Sequence, residues 1–424
     1  MKKLILLTHQ YPFNQSEAFL ETEIPFLSQV FDEIHIFPIN ISKSSARPTR
    51  ELPSNASIHF LNDFDQKGTL KRGKRIVSAL FDTQCMKWLS QELPFFKKHG
   101  MKGYINALNW ISIAKVVKDS IKKELQLELG ETIIYSYWQN PGALGAVMLK
   151  EHIRIPVVSR AHGGDLYLER YNPAYIPFQF NVIHKLNQLF LISQNGYDYL
   201  YEKDQTVGSI LEISRLGTLN KNIKATFSDD NILRIVTCSY MVPVKRLHLL
   251  LEALKLVDFP VEWRHIGGGP LENELKEKAK SLPSNSKVRF LGNLSNTEVL
   301  ENYQKEAADL FINVSESEGI PVSIMEAFSC GIPVMATDVG GTSELVDNSS
   351  GKLIEKDIKP EKLAKYLTEY RNLTSIEKQK RSTSAFTIWN SRYNAELNYR
   401  DFSTRLENIL ENANESQQQK VYLR

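Results

Sequence analysis

Short runs of apolar residues alternate along the chain with longer stretches whose apolar positions recur at helical spacing. In the first half of the chain such runs occupy residues 4–7, 132–136, 157–158 and 189–192. The first run precedes a helical pattern from about residue 17 to residue 30. Buried strands followed by amphipathic helices are typical of parallel sheets with crossover helices. The pattern therefore predicts an α/β fold.

The alternation continues in a second series after a polar stretch at residues 218–231, whose turn-forming residues are typical of a linker. The strands of this second series are predicted at residues 232–239, 261–268, 287–293, 308–315 and 332–338. A single core rarely grows beyond about 250 to 300 residues, so a chain of 424 residues favours two domains. We expect two α/β units with a cleft between them and ligands at the carboxyl ends of the strands.

Composition narrows the class of protein. The net charge of +3 argues against a binder of long polyanions, and nucleic acid is not an expected partner. Cys85, Cys238 and Cys330 are too scattered for a disulfide framework or a zinc site, which favours a reducing cytoplasm. The first apolar run ends at Leu7, too early for a signal peptide, and no apolar stretch reaches the roughly 20 residues of a membrane span. We therefore expect a cytoplasmic protein.

Two carboxylates surround a predicted helix start in the stretch ESEGIPVSIMEAFSCGIPVMATDVGGTSEL. Pro321 suits the first helical turn, and Gly331 suits the C-terminal cap after Cys330. Glu318 then lies in the loop before the helix, whereas Glu326 lies inside it. One acid is thus expected at the helix entrance and the other one to two turns further along.

Helix starts at this place favour an anionic ligand, because their free N–H groups and positive dipole end attract phosphate. A second helix is expected after Gly340 and Gly341, with Thr342 or Ser343 as its N-cap. Carboxylates instead accept hydrogen bonds from sugar hydroxyls. A phosphate flanked by hydroxyl-bearing rings is a nucleotide sugar. The alternative is that both acids are ordinary surface charges and that Glu326 pairs with a lysine.

The stretch resembles the two-glutamate region of retaining glycosyltransferases of family 4, which have the GT-B fold. Three further segments are similar to this family's phosphate-contacting strand and helix, its glycine loop and its base-side segment, in that order: CSYMVPVKRLHLLLEAL, HIGGGPLENEL and FLGNLSNTEVLENY. In the first half, SRAHGGDLYLERY, ISQNGYDYL and SRLGT resemble bacterial polysaccharide and colanic-acid-type transferases. The resemblance implies two Rossmann-like domains that face each other across a cleft.

The resemblance also sets the expected domain limits. Residues 1–218 would form the acceptor-side domain and residues 219–388 the nucleotide-sugar donor domain. The helical pattern at residues 389–412 is assigned to a final helix that crosses back to the first domain. Residues 413–424 are predicted to be a disordered tail, because their polar composition buries too little surface to offset the entropy of ordering.

Roles for donor-side residues follow from the same resemblance. Glu326 would hold the ribose hydroxyls, Glu318 the transferred sugar and Lys245 the diphosphate, whose growing negative charge a fixed cation stabilises. A solvated lysine at a helix start is the alternative for Lys245. The remaining expected donor-binding positions are Arg246, Gly319, Ile320, Gly267 and Gly269.

One departure from the family pattern concerns the phosphate site. Ser239-Tyr240-Met241 stands where the family often has Gly-Arg-Leu, so Arg246 or Arg215 would have to supply the second cation. The glycines at 267–269 do not form a dinucleotide fingerprint, since Glu272 occupies the place of its third glycine. A nicotinamide or flavin cofactor is therefore not expected. A catalytic metal is not expected either, because no Asp-x-Asp lies at a convincing cleft position.

His162 follows a predicted strand and lies in the turn RAHGGD, where the resemblance implies contact with the donor sugar near the reacting centre. A structural histidine is the alternative. Asp165 in the same turn is expected on the acceptor side, and so is Glu17. Glu17 also fits a capping box with Asn14, three residues earlier.

A basic and aromatic region extends from Lys67 to Lys123, with thirteen basic residues against three acidic ones. Phe81, Trp88 and Trp110 are among the aromatic residues between them. This mixture suits an anionic membrane surface, and solvated helix faces are the alternative. RNA binding is a third alternative, which no stacking motif accompanies. We therefore expect the protein either free in the cytoplasm or peripheral on the inner face of the plasma membrane.

These observations predict the retaining, metal-independent transfer of a hexose-like sugar from a nucleotide sugar to a saccharide acceptor. In one form of this prediction the acceptor is linked to a lipid. The product would be a surface polysaccharide. Two alternatives stay open. One is a GT-B nucleotide-sugar epimerase or phosphorylase, and the other is a regulator that binds nucleotide sugars without turnover.

Overall fold

The computed structural model describes residues 1–14, 17–41, 48–61, 69–128, 130–220 and 222–422. The strands are β1 Lys3–Thr8, β2 Glu33–Pro38, β3 Ala56–Ile58, β4 Thr132–Ser136, β5 Val157–Ala161, β6 Gln188–Leu191, β7 Leu211–Ile213, β8 Leu233–Cys238, β9 Val261–Ile266, β10 Ser286–Phe290, β11 Leu310–Asn313, β12 Val334–Thr337 and β13 Gly351–Ile354. The helices are α1 Ala18–Val30, α2 Thr69–Leu80, α3 Thr83–Gln91, α4 Leu93–Glu124, α5 Pro141–Ile153, α6 Gly163–Leu166, α7 Gln179–Ile183, α8 Gln194–Lys203, α9 Leu247–Leu254, α10 Glu272–Ala279, α11 Asn296–Lys305, α12 Val322–Ser329, α13 Thr342–Leu345, α14 Pro360–Arg371, α15 Ser375–Arg392 and α16 Ala395–Tyr422. Across these ranges, no helix is both long and apolar enough to cross a bilayer.

Two parallel sheets organise the chain. The first has the strand order β3-β2-β1-β4-β5-β6-β7, and the second has the order β10-β9-β8-β11-β12-β13. Every strand pairs in parallel with its neighbours. Each order runs outward in both directions from a central pair of strands, which is the arrangement of doubly wound Rossmann-like folds. The α/β prediction is confirmed.

The chain divides into two compact units. Unit 1 comprises Met1–Arg215 and Tyr399–Arg424, and unit 2 comprises Leu216–Asn398. The boundary predicted after residue 218 lies close to this division. Helix α16 begins in unit 2 and belongs to unit 1 from Tyr399 onward.

The sheet of unit 1 is covered on both faces. Successive residues of a strand point to opposite faces, and in β1 Ile5 and Leu7 join one buried cluster while Leu4 and Leu6 join another. Helices α4 and α5 contribute to the first cluster. The second cluster contains Phe402, Leu406 and Leu410, which are buried side chains of α16.

A buried ion pair lies on the α16 side of this sheet. The Arg160 guanidinium at the end of β5 donates to the Glu23 carboxylate of α1, and both side chains are fully buried. The guanidinium carbon also lies 4.1 Å from the centre of the Phe402 ring. Removing one partner of such a pair leaves an uncompensated buried charge, which costs about 3–5 kcal/mol. Glu23, Arg160 and Phe402 therefore tie α1, β5 and α16 together.

Two predictions about irregular segments are corrected. The predicted linker is docked on unit 2, where the Asn220 side chain donates to the Ser329 carbonyl and Ala225 N–H donates to the Cys330 carbonyl. The predicted tail is helical, because α16 continues to Tyr422. Glutamine, glutamate and lysine are good helix formers. Residues 423 and 424, and Lys67 at the start of the basic region, lie outside the described residues.

Candidate functional site

The sheet of unit 2 reverses its winding between β8 and β11. Strands β9 and β10 lie on one side of this pair, and β12 and β13 lie on the other. Loops that leave the carboxyl ends of two such strands diverge and open a crevice, where ligands of doubly wound folds bind. Lys245 lies in the segment after β8, in a 3₁₀ turn at Pro243–Lys245, and Glu318 lies in the loop after β11.

Lys245 and Glu318 are in direct contact. The ammonium nitrogen of Lys245 lies 2.6 Å from Oε1 of Glu318, and the side chains are 22% and 11% exposed. Asn313 Nδ2 donates to the same carboxylate oxygen at 3.1 Å. The structure thus brings together two of the residues predicted to be catalytic. The half-buried lysine is not a fully solvated helix-start residue.

Arg246 anchors the same loop. Its backbone is left-handed, with a φ of 48°. Its Nε donates to the Val314 carbonyl at 2.8 Å, and Nη2 donates to the Ser315 carbonyl at 3.3 Å. The Arg246 guanidinium, which was predicted to bind the donor, therefore binds backbone carbonyls just after strand β11. Arg215, the other predicted substitute for the missing arginine, is the last residue of unit 1 before α16 returns.

Gly340 and Gly341 pack against the loop that carries Glu318. Gly340 has a φ of +56°, and a Cβ atom there would lie 2.1 Å from the Glu318 carbonyl oxygen. Gly341 N–H donates to the Gly319 carbonyl at 2.7 Å, and a Cβ at Gly341 would lie 2.3 Å from the Ile320 side chain. A Cβ at Gly319 would meet nothing within 4 Å. The loop therefore rests on the glycine pair, while Gly319 faces open space.

The glycine loop after β9 packs against the segment after β8. Gly267 and Gly269 have φ values of +125° and +152°, and Cβ atoms there would approach Ser239 and Met241 backbone atoms to 2.1 Å and 2.7 Å. Tyr240, which lies between Ser239 and Met241, is 59% exposed. Backbone packing by itself requires both glycines.

Glu326 is buried in α12, with 9% of its surface exposed. Asn296 Nδ2 donates to its Oε1, and no other side chain in the described part of the protein bonds to the carboxylate. Burial raises the pKa of Glu326 to about 7, although the Asn296 bond acts in the opposite direction. A buried carboxylate with one donor can accept further hydrogen bonds from a ligand. The predicted limits of this helix are confirmed, and Gly331 takes the left-handed cap with a φ of 77°.

Two predicted helix caps are wrong. Helix α13 has Gly341 as its N-cap, and the hydroxyl of Thr342 donates to the Val339 carbonyl instead. At α1 the N-cap is Glu17, not Asn14, and both residues have left-handed backbones. A capping box needs an extended backbone at the N-cap, so it cannot form there.

Glu17 instead organises the loop after β1. Its Oε1 accepts the backbone N–H of His9, and its Oε2 accepts those of Gln10 and Tyr11, each at 2.7 Å. The indole Nε1 of Trp138, which follows β4, also donates to Oε1 at 2.7 Å. β1 and β4 are the central pair of the unit 1 sheet. Glu17 therefore connects the two loops at the winding reversal of this sheet.

His162 follows β5 and packs against aromatic rings. Its ring centre lies 4.6 Å from that of Tyr137 and 4.3 Å from that of Trp138. Neither ring nitrogen has a hydrogen-bond partner within the described ranges. Burial, and then the nearby Arg160 charge, hold the pKa of His162 well below its usual range. The imidazole is neutral, so it can donate one hydrogen bond and accept another.

Asp165 fixes the turn that carries His162. Its Oδ1 accepts the His162 backbone N–H at 2.6 Å, and its Oδ2 accepts the Gln139 backbone N–H at 2.7 Å. Burial raises the pKa of Asp165 to about 7. Its side chain is buried, and both carboxylate oxygens are already used by the protein. The predicted acceptor-side residue therefore joins the loops after β4 and β5.

Sequence reasoning did not single out Trp138 in unit 1 or Asn296 in unit 2, which bond to the candidate residues Glu17 and Glu326. Trp138 lies two residues beyond the predicted strand that ends at Ser136. It is therefore at the edge of the sheet where the carboxyl ends of the parallel strands meet. Asn296 lies inside the segment that resembles the family's base-side segment. Within the described ranges, no group of three or more His, Cys, Asp or Glu residues could hold a metal ion.

The chain is similar to known glycosyltransferases in sequence and in fold. Residues 220–385 match the model of the family glycosyl transferases group 1. The chain is 27% identical over 289 residues to the uncharacterised glycosyltransferase MJ1178 of Methanocaldococcus jannaschii, which covers 68% of this chain and 76% of the relative. It is 35% identical over 127 residues to the O-antigen biosynthesis glycosyltransferase WbnH of Escherichia coli, and this alignment covers 30% of the present chain and 34% of the relative.

A solved structure shares the whole fold. Anabaena Alr3699/HepE, crystallised in complex with UDP and glucose, has a TM-score of 0.62 at 17% identity and covers 96% of this chain and 99% of its own. The fold of the present protein is GT-B, as the resemblance implied. Residues 220–385 are similar to the glycosyl transferases group 1 family, and this match and the relatives together support glycosyltransferase activity.

We predict that Gly340→Ala destabilises the protein by about 1–3 kcal/mol, because alanine is strained at a positive φ and its Cβ would overlap the Glu318 carbonyl. Gly319→Ala is the matched control and should change the unfolding free energy by less than about 0.5 kcal/mol. Urea unfolding followed by circular dichroism measures both. Equal stability of the two variants would contradict the described packing of the loop.

We predict that Glu326→Gln stabilises the ligand-free protein at pH 8 by about 1–3 kcal/mol. A carboxyl pKa raised on folding lowers stability as the pH rises from about 4.5 to about 7, and the loss is complete above that window. The amide carries no charge to bury, so the gain should shrink toward pH 5. Thermal unfolding at both pH values is the measurement, with exposed Glu316→Gln as the control. A Glu326→Gln variant that is less stable than the wild type at pH 8 would contradict it.

Proposed function

We propose that the protein transfers a hexose-like sugar from a nucleotide-sugar donor to a saccharide acceptor, with retained configuration and without a catalytic metal. The contact between Lys245 and Glu318 at the winding reversal of unit 2 carries the proposal. A nucleotide sugar needs a cation for its diphosphate and acceptor groups for its hydroxyls. This loop and helix α12 offer both.

Each group has a separate part in the proposed reaction. The bond between the anomeric carbon and the diphosphate oxygen breaks, and a bond from that carbon to the acceptor oxygen forms. The departing diphosphate oxygen takes the proton of the acceptor hydroxyl. Lys245 stabilises the negative charge on the departing diphosphate. Glu318 stabilises the sugar ring as it becomes cationic, and Glu326 accepts the ribose hydroxyls. No protein nucleophile is assigned.

We propose that the residues predicted for the acceptor side position the loops around them. Glu17 and Asp165 hold the loops that carry Trp138 and His162, since their carboxylates already accept backbone N–H groups. His162 keeps a neutral ring with two nitrogens available to a ligand hydroxyl. In this proposal it orients a sugar through hydrogen bonds, because a group with such a low pKa is a weak base.

The acceptor is, in this proposal, a lipid-linked saccharide that grows into a surface polysaccharide. The O-antigen biosynthesis role in the name of WbnH supports this product class. The excess of ten positive charges between Lys67 and Lys123 supports attachment to the anionic inner face of the plasma membrane.

We expect one donor in a panel of UDP-, GDP- and ADP-sugars to stabilise the protein, by roughly 2.7 kcal/mol at about 100 times its dissociation constant. Thermal shift identifies that donor, and product analysis with saccharide acceptors then tests turnover. Transfer releases the nucleoside diphosphate. A changed sugar on an intact diphosphate would indicate an epimerase, and binding without any product would indicate a regulator. Either result would overturn the proposal.

The Lys245 and Glu318 variants should fail in different ways. Lys245→Ala should lower transfer by about 100-fold, the scale of losing one preorganised charge stabiliser. Glu318→Gln should also lower turnover, but it should leave nucleoside diphosphate affinity unchanged or higher, because the lysine loses its internal partner. Calorimetry with the diphosphate beside kinetics with the donor makes the comparison. Glu326→Gln is the matched control, and it should weaken the diphosphate complex by about 1.5–3 kcal/mol. Equal affinity losses for both glutamates would contradict the assigned roles.

A further inference from the structure

Exposed apolar side chains are concentrated in one part of unit 1. Eight of the eighteen large apolar residues that are exposed in the described part of the chain lie between residues 77 and 105. They are Val77, Leu80, Phe81, Met86, Leu93, Phe95, Met101 and Ile105. Phe81 is 87% exposed. Single exposed apolar residues are normal, but such a concentration marks an interaction surface.

Helix α2 carries an apolar stripe and a basic stripe that adjoin each other. Residues three and four apart share a helix face, so Val77, Leu80 and Phe81 form one stripe. Phe81 continues the helical turn, since its N–H donates to the Val77 carbonyl at 3.3 Å. We name these three residues the apolar ridge. Lys71, Lys74, Arg75 and Ser78 form the second stripe by the same spacing.

The basic stripe lines a groove between α2 and α4 with a volume of about 510 Å³. Lys115 and Asp119, which form an ion pair with each other, line its other side, so the lining carries four basic residues and one acidic residue. Arg75 is held in place by Ser112 Oγ at 3.0 Å and Asn109 Oδ1 at 2.9 Å. Serine hydroxyls from both helices complete the lining. Such a groove is complementary in charge to lipid phosphates.

We propose that α2 and the adjoining part of α4 form a docking surface for an anionic phospholipid bilayer, with the apolar ridge inserted among the lipids and the basic groove on their phosphates. Lysine is depleted in the core of protein interfaces, whereas basic residues beside an apolar stripe are typical of helices that lie in a membrane interface. This inference extends the attachment proposed above from charge alone to insertion of named side chains.

The surface is connected to the His162 turn within unit 1. Tyr175 donates to Glu92 just before α4, and its ring stacks on Phe95 and His99 with centroids at 6.1 Å and 4.9 Å. Tyr171, four residues earlier, donates to the Gly164 carbonyl in α6. Docking would therefore bring the bilayer to the same unit that carries His162, which suits an acceptor held in the membrane.

The test is co-sedimentation of the whole protein with vesicles of phosphatidylcholine containing about a quarter phosphatidylglycerol. Phe81→Ser should lower the partition coefficient by about tenfold or more, the loss of one buried aromatic side chain. Ile376→Ser is the matched control, because Ile376 in unit 2 is 82% exposed and should not insert. Lys71→Gln with Lys74→Gln should weaken binding to anionic vesicles only. Added salt should weaken the wild type without abolishing its binding.

Insertion has a direct spectroscopic readout. Phe81→Trp should add emission that brominated lipid quenches, and Ile376→Trp should add emission that it does not. Equal partition of Phe81→Ser and the wild type would overturn the proposal. So would self-association through this face, seen as a Phe81-dependent dimer without vesicle binding. Transfer to a soluble saccharide should be unchanged in Phe81→Ser, so a failure of docking is distinguishable from a failure of the proposed transferase.

Discussion

Both sheets reverse their winding at a central pair of parallel strands, and the placement of the site residues depends on this constraint. Crossovers between parallel strands are right-handed, so the helices after the two central strands pack on opposite faces and their preceding loops must separate. Four of the candidate residues lie in these separated loops: Glu17 after β1 and Trp138 after β4 in unit 1, and Lys245 after β8 and Glu318 after β11 in unit 2. Neither sheet needs unusual sequence at its core to achieve this.

Hydrogen bonding within the protein divides the polar groups at these loops into two kinds. Glu17 and Asp165 are supplied with donors by the backbone, and such satisfied carboxylates stabilise loops. His162 and Glu326 are buried with fewer partners than they can bind. Burying underbonded groups lowers stability, and buried groups with free bonding capacity are candidates for binding a ligand. Lys245 and Glu318 satisfy each other until a ligand competes for them.

The elements could be predicted from sequence where the determining interactions are local. The first five strands of unit 2 follow from apolar runs, and the limits of α12 follow from Pro321 and Gly331, which act within a few residues. Strand β13, Gly351–Ile354, was not predicted. The cap of α1 could not be predicted, because Glu17 bonds to Trp138, which is 121 residues away. The contact between Asn296 and Glu326 depends on tertiary packing in the same way. Composition likewise did not reveal that the polar residues after 412 continue a helix.

The division of unit 1 between the two ends of the chain has a consequence for its synthesis on the ribosome. Phe402, Leu406 and Leu410 complete one face of the unit 1 sheet, but all of Leu216–Asn398 must be translated before them. At about 5–20 residues per second, this takes roughly 10 to 40 seconds. During that interval unit 2 is continuous in sequence, whereas, among the described helices, α1 alone covers the α16 side of the first sheet. The part of this face that Phe402, Leu406 and Leu410 cover is therefore the last part of the unit 1 core to be completed.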